Sequence, residues 1–237
     1  MKYRLLLGYC VVGALPAHDH KQVYVQPFAP YYSQCGQDKY LNEQVFRNKQ
    51  HGVFIDIGAH DGISFSNSYY FEKYLGWTGI CIEPHPDRFH ELKNNRTAIC
   101  LPICIADFNG QAEFVKISGA PEMLSGLVDC YDPRHVARIN RELQLNGGSA
   151  HIINVETCTL ASVVEKYKFG SIDLLSVDTE GSEFLILKSI DLKAVDIAYI
   201  VVENNYGDNN VHNYLIANGY RHIKRFQGDD LYEKIRS

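Results

Sequence analysis

Four short apolar runs, each containing or followed by an acidic residue, place the strongest constraint on the fold of this chain. The runs are GVFIDI (52–57), TGICIEP (78–84), SIDLLSVDTEG (171–181) and DIAYIVVEN (196–204). They are apolar on both alternating faces, as in strands of a parallel sheet that helices cover on each side. The acids that mark them are Asp56, Glu83, Asp178 and Glu203. Because ligands of open α/β sheets bind at the carboxyl ends of the strands, we expect these four side chains around one crevice.

Helical segments separate these runs and complete the pattern. Helices are predicted over residues 33–46 with Ser33 as a cap, 63–75, 86–95, 160–167, 182–190 and 211–218. A further strand is predicted over 98–106, and two closing strands form a hairpin around 227–230. Strands and helices alternate along the chain, and such connections between parallel strands are right-handed crossovers. The predicted fold class is therefore an α/β three-layer sandwich.

The regular pattern stops in the middle of the chain. QAEFVKI (111–117) alternates apolar and polar residues after Asn109-Gly110, which indicates an edge strand of a hairpin. Residues 118–150 are rich in Gly, Pro and polar residues and contain a helical piece near 135–145. We interpret this segment as an insertion or lid. A strand over 151–160 follows it.

Composition indicates one globular domain with an N-terminal addition. The chain has 237 residues, of which 46% are hydrophobic, and a net charge of −5. This net negative charge argues against electrostatic binding of nucleic acid over a broad surface. We assign residues 33–237 to one domain, and residues 1–32 to an N-terminal arm or signal segment.

Residues 1–17 have two interpretations. Lys2 and Arg4 precede an apolar run and then small residues, which is the layout of a secretory signal, and the run is too short to span a membrane stably. Alternatively, the run is a short element that covers part of the core. Three of the seven cysteines lie in predicted buried strands, namely Cys81, Cys100 and Cys104. Free cysteines behave there as small hydrophobes, which favours reduced thiols and a cytoplasmic location.

The stretch FIDIGAHDG predicts a strand that turns on glycine and becomes a helix. Gly58 lets the backbone turn and a ligand approach, and Gly62 opens the following segment. Their spacing is Gly-x-x-x-Gly, whereas dinucleotide sites use Gly-x-Gly-x-x-Gly, and no P-loop is present. The junction therefore predicts a nucleotide-like ligand of another kind.

The acids define that ligand further. Asp56, just before the turn, would repel a pyrophosphate but suits an ammonium group and hydroxyls. Glu83 can accept two hydrogen bonds from a ribose diol, and Asp107 can accept one from an adenine amino group. An amino acid, a ribose and an adenine together describe S-adenosylmethionine.

Several motifs occur in a fixed order over roughly residues 33–205. They are SQCGQDKYLNEQVF, VFIDIGAHDG, SNSYYFEK, LGWTGICIEPHP and IDLLSVDTEGSE. In this order they resemble the FkbM-type family of S-adenosylmethionine-dependent methyltransferases. The resemblance implies a Rossmann-like class I methyltransferase fold with a mostly parallel seven-stranded sheet, an antiparallel last strand and an acceptor that is often a hydroxyl.

The resemblance also implies roles for individual residues. The first cofactor motif would contain Asp56, Gly58, Ala59, Asp61, Gly62 and Asn67. Glu83 would occupy the ribose position, Asp107 the adenine-side loop, and Asp178 to Gly181 the motif that faces the methyl group. Plainer interpretations remain open: Asp56 anchors the turn amides, Asp107 forms a turn, and Glu180 is a helix-start charge. His60 and His85 beside the motifs are interpreted as structural or exposed.

A hydroxyl acceptor holds a proton, so its methylation calls for a base. Asp178 and Glu180 are the candidates for this base or for orienting the acceptor. A further hypothesis is a hard divalent cation held by oxygen ligands at Asp178, Glu203 and Asn204, which would activate the hydroxyl.

We therefore expect an S-adenosylmethionine-dependent methyltransferase that acts on oxygen of a small molecule or glycan. An N-methyltransferase is the alternative enzyme, although an Asn-Pro-Pro-Tyr-like motif is absent after the Asp178 strand. A catalytically inactive relative that serves as a binding or scaffold protein is another alternative, and a nicotinamide-dependent oxidoreductase is opposed by the glycine spacing. The segment 118–150 and the tyrosines Tyr24, Tyr31 and Tyr32 are candidates to line the acceptor pocket.

Overall fold

The computed structural model describes residues 30–236. The predicted arm or signal up to residue 29, including Tyr24, lies outside this range. The strands are β1 (Val53–Ile57), β2 (Thr78–Ile82), β3 (Ile99–Leu101), β4 (Cys104–Ile105), β5 (Gly110–Ser118), β6 (Gly126–Leu127), β7 (Ser149–Cys158), β8 (Ile172–Val177), β9 (Ile197–Glu203), β10 (Tyr220–Phe226) and β11 (Asp229–Lys234). The α-helices are α1 (Gln37–Tyr40), α2 (Tyr69–Leu75), α3 (Pro86–Asn95), α4 (Pro133–Asn146), α5 (Leu160–Tyr167), α6 (Glu183–Lys188) and α7 (Asn209–Ala217).

Seven strands form the main sheet in the order β10-β11-β9-β8-β1-β2-β3. Every pairing from β9 to β3 is parallel, whereas β11 is antiparallel to both of its neighbours. The chain builds outward from β1 to β3 and then returns to place β8 on the other side of β1. This reversal is a topological switch point, where open α/β sheets bind ligands. The predicted mostly parallel seven-stranded sheet with an antiparallel last strand is confirmed.

Helices cover both faces of this sheet. Ile55 and Ile57 of β1 pack with Leu160, Ile186 and Leu215 of α5, α6 and α7. Phe54, which precedes Ile55, faces the other side, where the core includes α2, α3 and the N-terminal segment through Phe71, Trp77, Leu92 and Leu41. Each such buried side chain stabilises the fold by about 1.5–3 kcal/mol relative to exposure. The continuous apolar strands of the sequence thus arise from burial on both faces.

A second sheet of four strands, in the order β4-β7-β5-β6, lies beside the main one. In it β5 pairs with β7 along nine antiparallel positions and with β6 on its other edge. The predicted edge strand over 111–117 is therefore wrong in its placement, because it is an internal strand with two partners. The segment predicted as an insertion, 118–150, connects β5 to β7 and contains α4 at the predicted helical piece.

The single strand predicted over 98–106 is also wrong. Residues 99–101 belong to the main sheet and residues 104–105 to the second one. Pro102 lies between them, and a proline has no N–H with which to continue a ladder. The chain therefore leaves the main sheet at this point.

Two predicted helices begin later than expected. The helix predicted from residue 63 begins at Tyr69, because Phe65 has a φ of +59° and the Ser66 hydroxyl accepts hydrogen bonds from the amides of Ser68 and Tyr69. The helix predicted from residue 33 begins at Gln37 and becomes π-helical over residues 41–46.

Ser33 does not occupy the predicted cap position. The N-cap of α1 is Gly36. The Ser33 hydroxyl instead accepts a hydrogen bond from the amide of Asp38 at 3.2 Å and lies 2.5 Å from its carboxylate.

No helix among residues 30–236 is long and apolar enough to cross a membrane. The six cysteines in this range are free thiols.

Candidate active site

A cleft of about 410 Å³ lies at the carboxyl edge of the main sheet. Its floor includes Ile57 and Gly58 after β1, Ile82 and Glu83 after β2, and Asp178 after β8. The second sheet with the residue before it and the insertion contribute further lining residues, namely Ile103, Cys104, Ile105, Phe114, Glu122, Met123, Leu127 and Arg138. The cleft thus lies at the switch point, and its volume is in the range of small-molecule sites.

The turn after β1 joins three strand ends. The amides of Gly58 and Ala59 both donate to the carbonyl oxygen of Ile82, at 2.9 and 3.0 Å. Gly58 has a φ of +84°, which favours glycine, and its backbone passes against the carbonyl of Asp178. Gly58 lines the cleft, whereas Ala59 is buried in the core beneath it.

Asp56 lies outside the cleft, because alternation along β1 directs it to the face that carries α2 and α3. It is 4% exposed and accepts hydrogen bonds from the hydroxyls of Ser66 and Ser68. Burial raises the pKa of Asp56, and the Arg96 guanidinium, 3.9 Å away, offsets part of that rise. Asp56 therefore supports the loop after β1 from behind.

Arg96 is the centre of this support. Its side chain is fully buried and contacts Glu72 at 2.6 Å through Nε. It also donates to the Ser68 hydroxyl at 2.9 Å and to the Gly62 carbonyl at 3.1 Å. The guanidinium therefore ties α2 and the loop after β1 to the end of α3.

Asp61 and Asn67 also act within the loop. Asp61 accepts hydrogen bonds from the amides of Ile63 and Ser64 at 2.8 and 2.7 Å. Burial raises its pKa, but these bonds and nearby His60 outweigh burial and hold it below its ordinary value. Asn67 donates to the Ser176 hydroxyl at 3.1 Å. With Gly62, these residues do not line the cleft.

Glu83 lies in the cleft and is rigidly held. Its two carboxylate oxygens accept hydrogen bonds from the amides of His60 and His85, at 2.9 and 2.7 Å. The residue is 7% exposed, and burial raises its pKa. Each oxygen keeps acceptor capacity, so the carboxylate can receive two further donors such as the hydroxyls of a diol.

The two histidines beside Glu83 differ in role. His85 is buried, and its Nε2 donates to the carbonyl oxygen of Ile117 at 2.9 Å, which joins α3 to the second sheet. His60 lines the cleft, and its Nε2 lies 3.5 Å from Glu122. His60 was interpreted from the sequence as structural or exposed, whereas its ring borders the ligand space.

Asp107 is exposed and does not line the cleft. The chain segment that does so on this side is Ile103, Cys104 and Ile105, which is apolar. The diversion at Pro102 carries Asp107 past the end of β4 in the second sheet. The structure therefore does not bring Asp107 together with Glu83.

Carboxylates surround the other end of the cleft. Asp178, Glu180 and Glu203 line it, together with Asp229 at the start of β11. Burial and the neighbouring carboxylates raise the pKa values of Asp178 and Glu203 well above their ordinary values. Glu203 is fixed by hydrogen bonds from the Glu180 amide at 3.1 Å and from the Asn205 side chain.

Asp229 was missed by sequence reasoning. The antiparallel pairing of β11 with β9 places it opposite Glu203. Gln37 of the N-terminal segment donates a hydrogen bond to it. The contact joins positions 192 residues apart, so the sequence carried no local signal for it.

His135 and Arg138 of α4 were missed as well. Nδ1 of His135 lies 3.2 Å from Oε2 of Glu180, and Nη1 of Arg138 lies 3.6 Å from the same oxygen. Burial raises the pKa of Glu180 to about 7, although Arg138 opposes this. A carboxyl that titrates near neutrality can both accept and release a proton at physiological pH.

The three predicted metal ligands do not all come together, because the Asn204 side chain lies apart from Asp178 and Glu203. Asn204 donates to the carbonyl of Asp208 and to Asp230, both at 3.1 Å, and its side chain does not line the cleft. Among residues 30–236, no group of three or more His, Cys, Asp or Glu side chains is placed to hold a metal ion.

The fold and the cleft define a Rossmann-like methyltransferase domain, in which the sheet has the order β3-β2-β1-β8-β9-β11-β10 and the cleft lies at the switch point. The chain belongs to the family described as the methyltransferase FkbM domain, which it matches over residues 56–222. The protein is thus a methyltransferase, a class of enzyme that in general uses S-adenosylmethionine.

The chain is also similar, at low identity, to solved methyltransferase structures. Methyltransferase FkbM from Methylobacillus flagellatus KT is 13% identical with a TM-score of 0.45, and the match covers 78% of this chain and 44% of that one. Precorrin-6y C5,15-methyltransferase from Geobacter metallireducens GS-15 is 14% identical with a TM-score of 0.41, covering 84% and 87%. A human methyltransferase 10 domain containing protein is 11% identical with a TM-score of 0.42, covering 85% and 79%. No curated protein sequence gives a significant match.

Proposed function

We propose that the cleft binds S-adenosylmethionine and that the enzyme methylates a hydroxyl group of a small molecule or glycan. The observation that carries this proposal is the division of one cleft into two ends. Glu83 and apolar residues form one end, and a cluster of carboxylates, namely Asp178, Glu180, Glu203 and Asp229, forms the other.

The residues at the first end fit the cofactor. Glu83 is held by two backbone amides with acceptor capacity left for a ribose diol. Ile103, Ile105 and Leu127 line the same cleft and offer an apolar surface to a purine ring. Gly58 lines the same cleft, and its lack of a side chain lets the Asp178 backbone pass against this turn. When bound, S-adenosylmethionine supplies an electrophilic methyl group on a positively charged sulfur.

The carboxylates at the second end support a hydroxyl acceptor. A hydroxyl must lose its proton as its oxygen attacks carbon, so a nearby base accelerates the reaction. Glu180 has a pKa of about 7 and lines the cleft, so we assign it as the base. The pKa of Asp178 is raised well above its ordinary value, so it holds its proton more firmly, which suits it to orient the acceptor.

The acceptor itself is expected to be uncharged or cationic. Among residues 30–236, six carboxylic acids line the cleft, namely Glu83, Glu122, Asp178, Glu180, Glu203 and Asp229. Arg88 and Arg138 are the arginines that line it. A polyanion such as nucleic acid would be repelled by this lining. Hydroxyl-rich small molecules and glycans can instead donate hydrogen bonds to it.

Calorimetric titration of the full chain with S-adenosylhomocysteine tests cofactor binding. We expect micromolar binding that weakens roughly 10- to 100-fold in Glu83→Gln, because a charged acceptor of two amides and of the ligand is lost. Glu156→Gln, at an exposed site on β7, is the matched control and should bind like the parent. A folded parent that does not bind contradicts the proposal.

Matched acceptor pairs test the atom that is methylated. The enzyme is supplied with labelled S-adenosylmethionine and with sugars or small alcohols, each paired with its amino analogue. Transfer to the alcohols supports O-methylation. Transfer confined to the amines would show that the enzyme is an N-methyltransferase.

A further inference from the structure

The helix α4 of the insertion lies against the turn that carries Glu180. The backbone of Gly181 passes so close to residue 130 that a Cβ would lie 2.6 Å from the Cys130 carbonyl oxygen. Glu180 itself has a φ of +60°, which is rare for residues other than glycine. Such a conformation costs about 1–3 kcal/mol and persists only where its surroundings hold it. Two α4 side chains, His135 and Arg138, reach the Glu180 carboxylate.

The tautomer of His135 follows from its contacts. Its imidazole is 1% exposed, and Nε2 lies 3.0 Å from the carbonyl oxygen of Leu124. A carbonyl oxygen can only accept, so Nε2 carries a proton and donates it. In a neutral imidazole the other nitrogen, Nδ1, is then unprotonated and presents a lone pair.

That lone pair faces Glu180. Nδ1 of His135 lies 3.2 Å from Oε2 of Glu180, and neither buried atom has a conventional hydrogen-bond partner within residues 30–236. An ionised carboxylate and a neutral Nδ1 are both acceptors and repel each other at this distance. A proton on the Glu180 oxygen turns the repulsion into a hydrogen bond, which satisfies both atoms.

The surroundings keep this proton exchangeable. The acids that face the pair are Asp132, Asp178, Glu183 and Glu203. Glu183 favours protonation of Glu180, and Arg138 favours its ionised form. The phenols of Tyr131 and Tyr206 also face the pair. Burial lowers the pKa of His135, so the imidazole itself stays neutral.

We propose that His135 is a positioning residue that makes Glu180 an effective proton acceptor by aiming the Nδ1 lone pair at its Oε2. The role of Glu180 as base rests on the proposed function. In the step, the O–H bond of the acceptor breaks and its electron pair forms the bond to the methyl carbon, while the bond from that carbon to the sulfonium sulfur breaks and leaves its electron pair on sulfur. The proton passes to Glu180, which then donates a hydrogen bond to Nδ1. The other ring proton stays bonded to Nε2, which continues to donate it to the Leu124 carbonyl oxygen.

Nuclear magnetic resonance of the full chain tests the pair without an acceptor. Histidine is labelled with ¹⁵N and glutamate with ¹³C at the carboxyl carbon, and assignments come from His135→Gln and Glu180→Gln. Between about pH 5 and 9, we expect His135 to keep its proton on Nε2 and Glu180 to titrate near neutrality. A His135 ring that carries its proton on Nδ1 overturns the proposal.

Two variants separate positioning from packing. His135→Gln retains a donor for Leu124 but lacks the Nδ1 lone pair, so the Glu180 titration should move down by about one pH unit. Arg138→Gln removes the favourable charge, so the titration should move up. An unchanged titration in His135→Gln overturns the proposal, and if that variant does not fold, the tautomer in the parent decides.

A failure of the proposed function can be distinguished from a failure of this inference. Calorimetry with S-adenosylhomocysteine on the same samples reports cofactor binding, whereas the tautomer and the titration report the pair. A parent that shows the expected pair but binds no cofactor contradicts only the proposed function.

Discussion

The carbonyl oxygen of Asp178 fills the space beside Gly58, so that an ideal Cβ at position 58 would lie 1.7 Å from it. The Asp178 amide also donates to the carbonyl of Ile57 at 3.0 Å. The ends of β1 and β8 are thus held in backbone contact at the switch point. This contact fixes the position of Asp178 relative to the turn that we assign to the cofactor.

Gly58→Ala should destabilise the fold and abolish cofactor binding. The new methyl group cannot be accommodated without moving the Asp178 backbone, and the left-handed φ of +84° adds about 1–2 kcal/mol. We expect a total loss of about 3 kcal/mol or more in the free energy of unfolding, measured by urea denaturation. The control is Gly170→Ala, an exposed position with no atom within 4 Å of the new Cβ. A Gly58→Ala protein that unfolds and binds S-adenosylhomocysteine like the parent would show that the contact is looser than described.

Arg96→Met should lower the free energy of unfolding by about 3–5 kcal/mol, because it leaves buried Asp56 and Glu72 without their cation. The loop after β1 should loosen as well, so cofactor affinity should fall with stability. Arg141→Met is the control, since that side chain is 66% exposed and its ion pair with Glu142 contributes little. Equal denaturation midpoints for the two variants would refute the supporting role of Arg96.

The sequence predicted the parts of this site that depend on local pattern. Apolar runs and the acids after them placed Glu83, Asp178 and Glu203 at strand ends, and parallel pairing brings such ends together. The same reasoning placed Asp56 correctly on β1. Its side chain nevertheless faces away from the cleft, since alternate residues of a strand point to opposite faces.

Other parts of the site depend on contacts between residues far apart in the sequence, which no local sequence pattern indicates. His135 is a single histidine in an amphipathic helix, and only the folding of the insertion over the sheet brings it to Glu180. Asp229 reaches the cleft because β11 enters between β9 and β10. The second sheet escaped prediction because Pro102 divides an apolar run that otherwise appears continuous.

The stability of the ligand-free protein should fall as pH rises toward 8. Burial raises the pKa of Glu180 to about 7, so at intermediate pH the folded state keeps a proton that the unfolded state has lost. This contribution is fully present below the ordinary pKa of glutamate and is lost as pH rises through about 7, with a total of about 3 kcal/mol. Asp178 and Glu203 act in the same direction.

Melting temperatures measured between about pH 5 and 8 check this expectation. Glu180→Gln should flatten the decline, because the amide does not ionise. Glu165→Gln, at an exposed position of α5, should leave the decline unchanged. A parent whose stability rises over this interval would contradict the raised pKa of Glu180.

Asp107 offers a test between sequence pattern and structure. The pattern assigns it to the adenine amino group, whereas its exposed position beyond β4 lies outside the lining of the cleft. We expect Asp107→Ala to change the affinity for S-adenosylhomocysteine by less than about twofold, since one good hydrogen bond to a charged group would be worth roughly tenfold or more. Glu83→Gln, measured by the same calorimetry, gives the loss of affinity expected when a residue that contacts the cofactor is changed. A tenfold loss in Asp107→Ala would mean that the segment after β4 moves onto the cofactor when it binds.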